Sequence, residues 1–226
     1  MNKKTTTFAL TILFFAQTIT AETITITYGT SGNYYPYQGS TYDAFRIQWL
    51  YTQNEINQSG VIQKIYHQIL WDDTNAEYNN LRIYLCHSDK TSLNSSFADN
   101  CKDAPVKVMD QASHTIAGDA GDWLEYDIDD TFTYNNINNL VIELRYNGDN
   151  GQNAPLMKGD VGTSHKRAYL KDDDSGSTAE NTDRAAYNLK IIIDPSGIPA
   201  PEYPTSAALL LALFTSPAIA YLLIKK

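Results

Sequence analysis

The sequence predicts an all-β protein, folded as a single antiparallel β-sandwich between an N-terminal signal peptide and one C-terminal transmembrane helix. Tyr, Thr, Ile and Val dominate the apolar runs of the central part, while Asn, Asp, Gly and Ser fill the short gaps between them. This alternation is typical of short strands joined by turns. Eight or more such strands, with no long helical pattern among them, indicate a sandwich rather than an α/β enzyme fold.

Short alternating segments place the strands one by one. The first is expected at 23–28, where Thr alternates with Ile, and Thr52 could then cap a short helical turn with Glu55 at the capping-box position and Gly60 closing it. Further strands are predicted at 43–51, 61–71, 81–86, 106–110, 114–117, 121–128, 140–146, 168–170 and 187–193. Residues 72–80 are predicted to form a turn.

The start of the chain carries an export signal. Residues 1–21 carry Lys3 and Lys4 near their start, continue through an apolar core from Phe8 to Ala16, and end in small residues before Glu22. This order is typical of a secretory signal peptide. We therefore expect residues 22–194 to fold outside the cytoplasm as one domain.

The end of the chain carries a candidate anchor. Residues 195–204 form a Pro-rich linker, and residues 205–226 contain a nearly unbroken apolar run from Ala207 to Ile224 followed by two lysines. Such a run is close to the shortest that spans a bilayer, and terminal lysines favour the cytoplasmic side. The domain is thus expected at the cell surface, on the outer face of the cytoplasmic membrane or in the extracellular envelope.

The predicted exported part is strongly acidic. Four lysines lie in 1–21 and 205–226, which hold no acidic residue, so residues 22–204 carry 13 basic and 26 acidic side chains, a net charge of −13. A surface of this charge repels phosphate backbones, so nucleic acid is not an expected partner. The membrane, reached through the C-terminal helix, is one.

Two cysteines, Cys86 and Cys101, enclose a polar stretch. In an oxidising compartment they are expected to form a disulfide that ties a loop to the end of a strand. The alternative is a pair of free thiols. Two cysteines and His87 do not have the spacing of a zinc site.

Clustered carboxylates and exposed aromatic rings suggest two kinds of ligand. Asp172, Asp173 and Asp174 are candidate calcium ligands, although the segment lacks the EF-hand pattern and a solvated loop is the alternative; no other cofactor is expected. Tyr34, Tyr35 and Tyr37 lie in a loop, where exposed rings could stack on sugars, whereas the three tryptophans are expected to pack inside the sandwich.

The sequence contains no recognisable catalytic motif, and we expect no enzyme. The histidines are isolated, and His67 falls on a predicted strand face where a buried histidine is expected. Glu125 and Glu143 are the carboxylates that a glycoside hydrolase could use, with solvent-facing strand residues as the alternative. Asn57 and Asn94 begin Asn-x-Ser sequons and are candidate N-glycosylation sites.

The order of strand and turn residues between about 34 and 151 resembles a jelly-roll-like β-sandwich module of large secreted and cell-surface bacterial proteins. The matching stretches are 46–51, 52–60, 61–65, 79–85, 123–126, Phe132 and 138–144. The resemblance implies the fold, and it brings no catalytic signature with it.

The tail resembles the sorting signals that exosortases and archaeosortases read, which combine a short Pro-Glu motif, an apolar helix and basic residues. The motif positions are Pro201, Glu202, Tyr203, Pro204 and Thr205, with Tyr where Phe or Pro is commoner. The resemblance implies cleavage near this motif by a sortase-type enzyme and transfer to the envelope. The alternative is an ordinary single-pass anchor.

Together these features predict a non-catalytic cell-surface protein, anchored at its C-terminus, with a structural or adhesive function. Such a protein could self-associate through an exposed edge strand, for which residues 23–28 are the first candidate. The alternative is a surface-anchored carbohydrate-binding module.

Overall fold

The structure is a computed structural model that describes residues 20–33, 35–37, 41–71, 75–152, 157–161 and 164–197. Almost all of the predicted signal peptide lies outside these ranges, as do the predicted sorting motif and membrane helix. Within the described ranges no helix has the length and apolarity that a membrane span requires.

The described chain is all-β, as predicted, with short helical turns at Gln53–Ile56 (α1), Ala98–Asn100 and Pro195–Gly197. The strands are β1 (Glu22–Ile26), β2 (Ser31–Asn33), β3 (Ala44–Tyr51), β4 (Gly60–Gln68), β5 (Ala76–Ser88), β6 (Val106–Ile116), β7 (Trp123–Tyr126), β8 (Phe132–Tyr134), β9 (Asn139–Asn147), β10 (Met157–Val161), β11 (Arg167–Lys171), β12 (Asn181–Asp183), β13 (Ala185–Tyr187) and β14 (Leu189–Asp194).

All strand pairs in the three sheets are antiparallel. The six-stranded sheet has the order β12-β11-β3-β9-β5-β6. The five-stranded sheet has the order β1-β14-β4, after which β7 and β8 pair with successive parts of β4. A three-stranded sheet, β13-β10-β2, completes the domain.

The two larger sheets share one apolar core, which gives the fold its sandwich-like character. The six-stranded sheet contributes residues such as Ile47 and Ile142, and the five-stranded sheet contributes residues such as Ile65 and Ile191. Tyrosines are unusually frequent in this core, and those exposed by less than 2 % are Tyr37, Tyr51, Tyr78, Tyr126, Tyr134, Tyr146 and Tyr187. Burying so many hydroxyls requires internal partners.

Several predicted boundaries differ from the observed ones. The predicted turn at 72–80 is too long, because β5 already begins at Ala76. The two strands predicted at 106–110 and 114–117 are one strand, β6, whose register against β5 shifts at Ile83/Tyr84. The strand predicted at 187–193 is instead divided, since Asn188 separates β13 from β14.

The predicted helical turn is present, and its N-terminus is the one expected. Thr52 and Glu55 form a capping box, in which the Glu55 carboxylate accepts a hydrogen bond of 2.6 Å from the Thr52 N–H. Its C-terminus was predicted wrongly: Asn57, at φ 50°, ends the helix in the left-handed conformation. Gly60 opens β4, where an added Cβ would lie 2.4 Å from Ile193 Cγ2.

The predicted disulfide between Cys86 and Cys101 is confirmed. It joins the end of β5 to the segment that leads into β6. Together with buried Leu93 and Phe97, it belongs to a second apolar cluster on the outer face of the six-stranded sheet.

His67 lies in the core, as its strand position predicts, and it is 1 % exposed. Its ring packs edge-on against Trp49 at 4.8 Å, and its two nitrogens lie 3.3 Å from the hydroxyls of Tyr51 and Tyr126. Burial among these neutral groups lowers the pKa of His67 to about 3. The ring is therefore neutral in the folded protein at neutral pH.

This depressed pKa links stability to pH. The unfolded chain protonates His67 near its ordinary pKa of about 6.5, so between that value and about 3 the unfolded state binds more protons and stability rises with pH. We expect the free energy of unfolding to fall as pH drops from about 6.5 to about 4, and to fall less in His67→Phe. Chemical denaturation at several pH values measures this, and parallel curves for the two proteins would contradict it.

Candidate functional site

The strand β1 is the most open edge of the described sheets. Within the described ranges its only strand partner is β14. Its five residues alternate Thr and Ile after Glu22, contain no proline, and leave Thr23 and Thr25 exposed. An edge of this kind presents unpaired backbone N–H and C=O groups that a further strand can bind.

The other edges are short or interrupted. β7 has four residues, and β2, β8, β12 and β13 have three each. The long edge strand β6 carries the register shift, and its Val108 carbonyl accepts hydrogen bonds from the N–H groups of Asp129 and Asp130 at 2.7 and 3.2 Å. Short strands and bulges are the usual protections of a sheet edge. β1 is longer than these short edge strands, and its five residues pair with β14 in regular register without a bulge.

The two ends of the domain leave from the same place. Glu22, at the start of β1, pairs with Ile193, near the end of β14. Asp194 pairs with Val61 at the beginning of β4, and Gly197 lies against the Val61 side chain. The segments predicted to direct export and anchoring therefore join the domain at one end of the five-stranded sheet.

The outer face of the six-stranded sheet holds a row of three arginines. Arg46, Arg145 and Arg82 occupy directly opposite positions on β3, β9 and β5. Like charges in this arrangement repel one another. The row is stable because two carboxylates lie within it: Glu143 pairs with Arg46 at 2.9 Å and with Arg145, and Asp174 pairs with Arg82.

Two loops cover this arginine row. The loop before Cys101 brings the Phe97 ring to 4.2 Å from the Arg46 guanidinium carbon, and the loop after β11 brings the Gly176 carbonyl to 2.8 Å from Arg46. Gln48 donates to Glu143 at 2.6 Å and accepts from Asn100 at 2.9 Å. Arg46, Gln48 and Glu143 are thus buried, so the described centre of this face is a closed polar layer.

The outer face of the five-stranded sheet is more open and carries aromatic rings. Lys190 lies 4.0 Å from the centre of the Tyr66 ring and 5.0 Å from that of Trp123. Lys64 and Glu125 form an exposed ion pair beside them, which lowers the pKa of Glu125. The face is therefore mixed in character, with cationic and aromatic groups in contact.

Trp71 contradicts the prediction that the tryptophans pack inside. Trp49 is buried, but Trp71 is 55 % exposed and Trp123 is half-buried. The turn that leads into β7 is joined to the segment just before Trp71, because the Gly121 N–H donates a hydrogen bond to the Ile69 carbonyl at 2.9 Å. Exposed tryptophan faces are suitable for stacking on sugar rings.

The tyrosine loop does not form the predicted platform as a whole. Tyr37 is fully buried against Tyr78, and its hydroxyl lies 2.8 Å from that of Tyr126, so the prediction of an exposed ring is wrong for Tyr37. Tyr35 is half-buried and packs on Phe45 at 5.3 Å. Tyr34 lies outside the described residues.

The three aspartates proposed as calcium ligands face different partners. Asp173 accepts hydrogen bonds from the N–H groups of Ser175 and Gly176 at 2.7 and 3.0 Å, while Asp174 pairs with Arg82. Asp172 adopts φ 57° at the end of β11. Among the described residues no three His, Cys, Asp or Glu side chains are grouped so that they could hold a metal ion.

Glu125 and Glu143 cannot act as a glycosidase pair. They lie on different sheets, and each is on the outer face of its sheet. Because packed sheets are about 10 Å apart, carboxylates on the two outer faces exceed the separation that glycoside hydrolysis needs. The sequon residues Asn57 and Asn94 are both exposed.

No protein-family model, curated protein or solved structure matches this chain. Its candidate surfaces are therefore defined by its own residues. They are the β1 edge, the two outer tryptophans, and the end of the five-stranded sheet where the chain leaves the domain.

Sequence reasoning missed the arginine row and the exposure of Trp71. The three arginines are far apart in the sequence, and only strand register brings them together. The sequence does mark one further feature, the stretch around Ile137. Thr131–Ile142 contains no charged residue, although the domain is strongly acidic.

Removing the central carboxylate should destabilise the fold. Glu143→Gln leaves buried Arg46 and half-buried Arg145 without their shared counter-charge, and breaking a buried pair costs about 3–5 kcal/mol of unfolding free energy. Urea denaturation measures the loss. Glu125→Gln, which breaks the exposed pair with Lys64, is the matched control and should change little. Equal effects of the two substitutions would contradict the proposed importance of the arginine row.

Proposed function

We propose that this chain is an exported, non-catalytic surface protein whose β-sandwich domain associates laterally with further copies while its C-terminal segment holds it at the envelope. The observation that carries the proposal is the open β1 edge. The disulfide supports export, because such bonds persist in oxidising compartments. The acidic surface and the predicted signal peptide are consistent with the same location.

Within this proposal the tail acts as the anchor. Residues 201–205 are either cleaved by a sortase-type enzyme or followed by a plain membrane span, and in both cases the domain stays outside the cell. The position of the chain ends supports this display. Both join one end of the five-stranded sheet, so the remaining surface is free to face neighbours.

We further propose that the domain is jelly-roll-like. The antiparallel sheets support this topology, since strands distant in sequence are neighbours in space: β3 lies between β9 and β11, and β14 lies between β1 and β4. In this arrangement the first and last strands are adjacent, and the first strand is left at the edge.

Pairing through β1 should be weak in solution and effective on a surface. A contact through a five-residue edge strand buries much less surface area than the roughly 1,200–2,000 Å² that a stable interface buries. Anchoring in a membrane raises the local concentration, so a weak contact becomes populated. The association is therefore expected among anchored copies.

Charges placed on β1 should prevent this association. The double variant Thr23→Glu/Thr25→Glu puts like charges opposite each other when two copies pair, and both positions are exposed in the single chain. We expect cross-linking between full-length chains on vesicles to fall several-fold. A mixture with Thr23→Lys/Thr25→Lys chains should restore it. Thr133→Glu, on the exposed side of β8, is the matched control.

Cross-linking that is insensitive to the β1 charges would overturn the role of this edge. A loss that the oppositely charged mixture does not restore would indicate damage to β1 itself. Equal loss in the Thr133→Glu control would point to a general effect of added negative charge.

We propose carbohydrate binding as the second candidate function, favoured by the exposed ring of Trp71 and the half-buried ring of Trp123. A ring that is 55 % exposed can stack on a pyranose face. Under this proposal the sugar-binding surface is formed by the two tryptophans and not by the tyrosine loop that the sequence predicted.

Trp71→Ala should abolish any signal of the full-length chain on a glycan array, because the stacking ring is lost. Ile137→Ala, which removes a different exposed apolar side chain, is the control and should retain the signal. Glycan binding that survives Trp71→Ala would exclude this site.

A further inference from the structure

The loop between β8 and β9 presents a single isoleucine to the outside. Ile137 is 80 % exposed, compared with 55 % for Trp71 and 41 % for Val106, the other exposed large apolar side chains of the described residues. A solitary exposed apolar residue is common on protein surfaces. Ile137 differs in the rigidity of the loop that carries it and in the position of that loop.

Asparagine side chains hold the loop in shape. The Asn135 carboxamide oxygen accepts hydrogen bonds from the N–H groups of Ile137 and Asn138 at 2.9 and 3.0 Å. The Tyr134 hydroxyl donates to the Asn138 carbonyl at 2.6 Å, and Asn136 adopts φ 52° while accepting from Gln53 at 3.0 Å. The tip is therefore preorganised, so that placing Ile137 in a new environment costs little conformational entropy.

The loop lies at the end of the domain from which the chain leaves. Tyr134, immediately before the loop, pairs with Gly60, the first residue of β4. On the other side of β4, Asp194 pairs with Val61. Neighbouring strands are about 4.8 Å apart, so the loop and the chain exit are separated by about 10 Å at the same end of one sheet.

The sequence beyond the exit places a membrane within reach of this end. Residues 198–206 separate Gly197 from the apolar run that begins at Ala207, and these nine residues span at most about 30 Å when extended. We propose that the loop Asn135–Asn138 rests on the lipid surface and that Ile137 inserts into the membrane interface. The inference rests on the membrane anchor of the proposed function.

The charges around the loop favour a lipid surface over an acidic partner. Thr131–Ile142 contains no charged residue, although the predicted exported part has a net charge of −13. The Lys102 ammonium donates a hydrogen bond of 3.5 Å to the Asn138 carboxamide, and the Asp103 carboxylate lies 3.8 Å from the His87 ring. The positive charge of Lys102 and the negative charge of Asp103 therefore nearly cancel beside the loop. Burial of the isoleucine is the driving force, and the contact should not require anionic lipid.

A fluorophore beside the loop tests this contact with Ile137 intact. Asn54 is exposed on α1, next to the Gln53 side chain that binds Asn136, so Asn54→Cys gives a reporter thiol. The native cysteines are joined in the disulfide and do not compete for the label. The labelled full-length chain is reconstituted in phosphatidylcholine vesicles that carry a quencher at headgroup depth. Asp119→Cys is the matched reporter near the opposite end of β4. Its neighbour Gly118 lies against Ile69, the residue that follows β4.

We expect quenching at Asn54→Cys to be several-fold stronger than at Asp119→Cys. Adding Ile137→Ser should reduce it markedly, whereas adding Trp71→Ser should not. Quenching that is equal at the two reporters, or unaffected by Ile137→Ser, would overturn the proposal. Energy transfer between labelled copies without lipid quenching would assign the tip to a second copy instead, and would also overturn it.

The anchor is tested in the same sample by the retention of the chain on the vesicles in high salt. Release of the chain would overturn the membrane anchor of the proposed function and the loop contact with it. Retention without quenching would overturn the loop contact alone.

Discussion

The neutralisation of three aligned arginines by Glu143 and Asp174 is the constraint on which the outer half of this domain depends. Without these carboxylates, strand register would bring three positive charges side by side on a sheet face. With them, the row becomes a polar layer on which two loops close. The Asp174 loop is held directly by Arg82, and the disulfide-linked loop is held through Phe97 and Asn100.

This closure explains why the six-stranded sheet is buried on both faces at its centre. Every residue of β3 is buried, including Arg46 and Gln48, although its sequence alternates as a half-exposed strand would. The apolar side of β3 contacts the core shared with the five-stranded sheet, while its polar side contacts the arginine row. The five-stranded sheet has no such cover, so its outer face keeps Lys190 over Tyr66 and an exposed ion pair.

The fold class and most longer strands could be predicted from the sequence because alternation over five or more residues is a local signal. The predicted strands at 43–51 and 140–146 match β3 and β9 within one residue at each end. The strands β2, β8, β10 and β12 were missed, since segments of three to five residues carry little periodicity and are fixed by their partners. Residues 76–80 were mistaken for a turn because Asn79 and Asn80 are turn formers, yet β5 passes through them.

The sites were less predictable than the strands. The disulfide could be predicted, since only two cysteines exist. Whether an aromatic ring is exposed depends on the packing of distant elements, which explains why Tyr37 is buried against Tyr78 while Trp71 is exposed.

The adjacency of β1 and β14 has a consequence for the order of events in the proposed export. Strand β14 joins β1 to β4, so the five-stranded sheet is incomplete until the last strand arrives. A chain that crosses the membrane N-terminus first therefore delivers β1 early and must hold it unpaired while about 160 further residues follow. In the proposed export, closure of the sheet would coincide with arrival of the apolar C-terminal segment at the translocation channel. Folding of the domain and its proposed retention in the envelope would then depend on the same short stretch of chain.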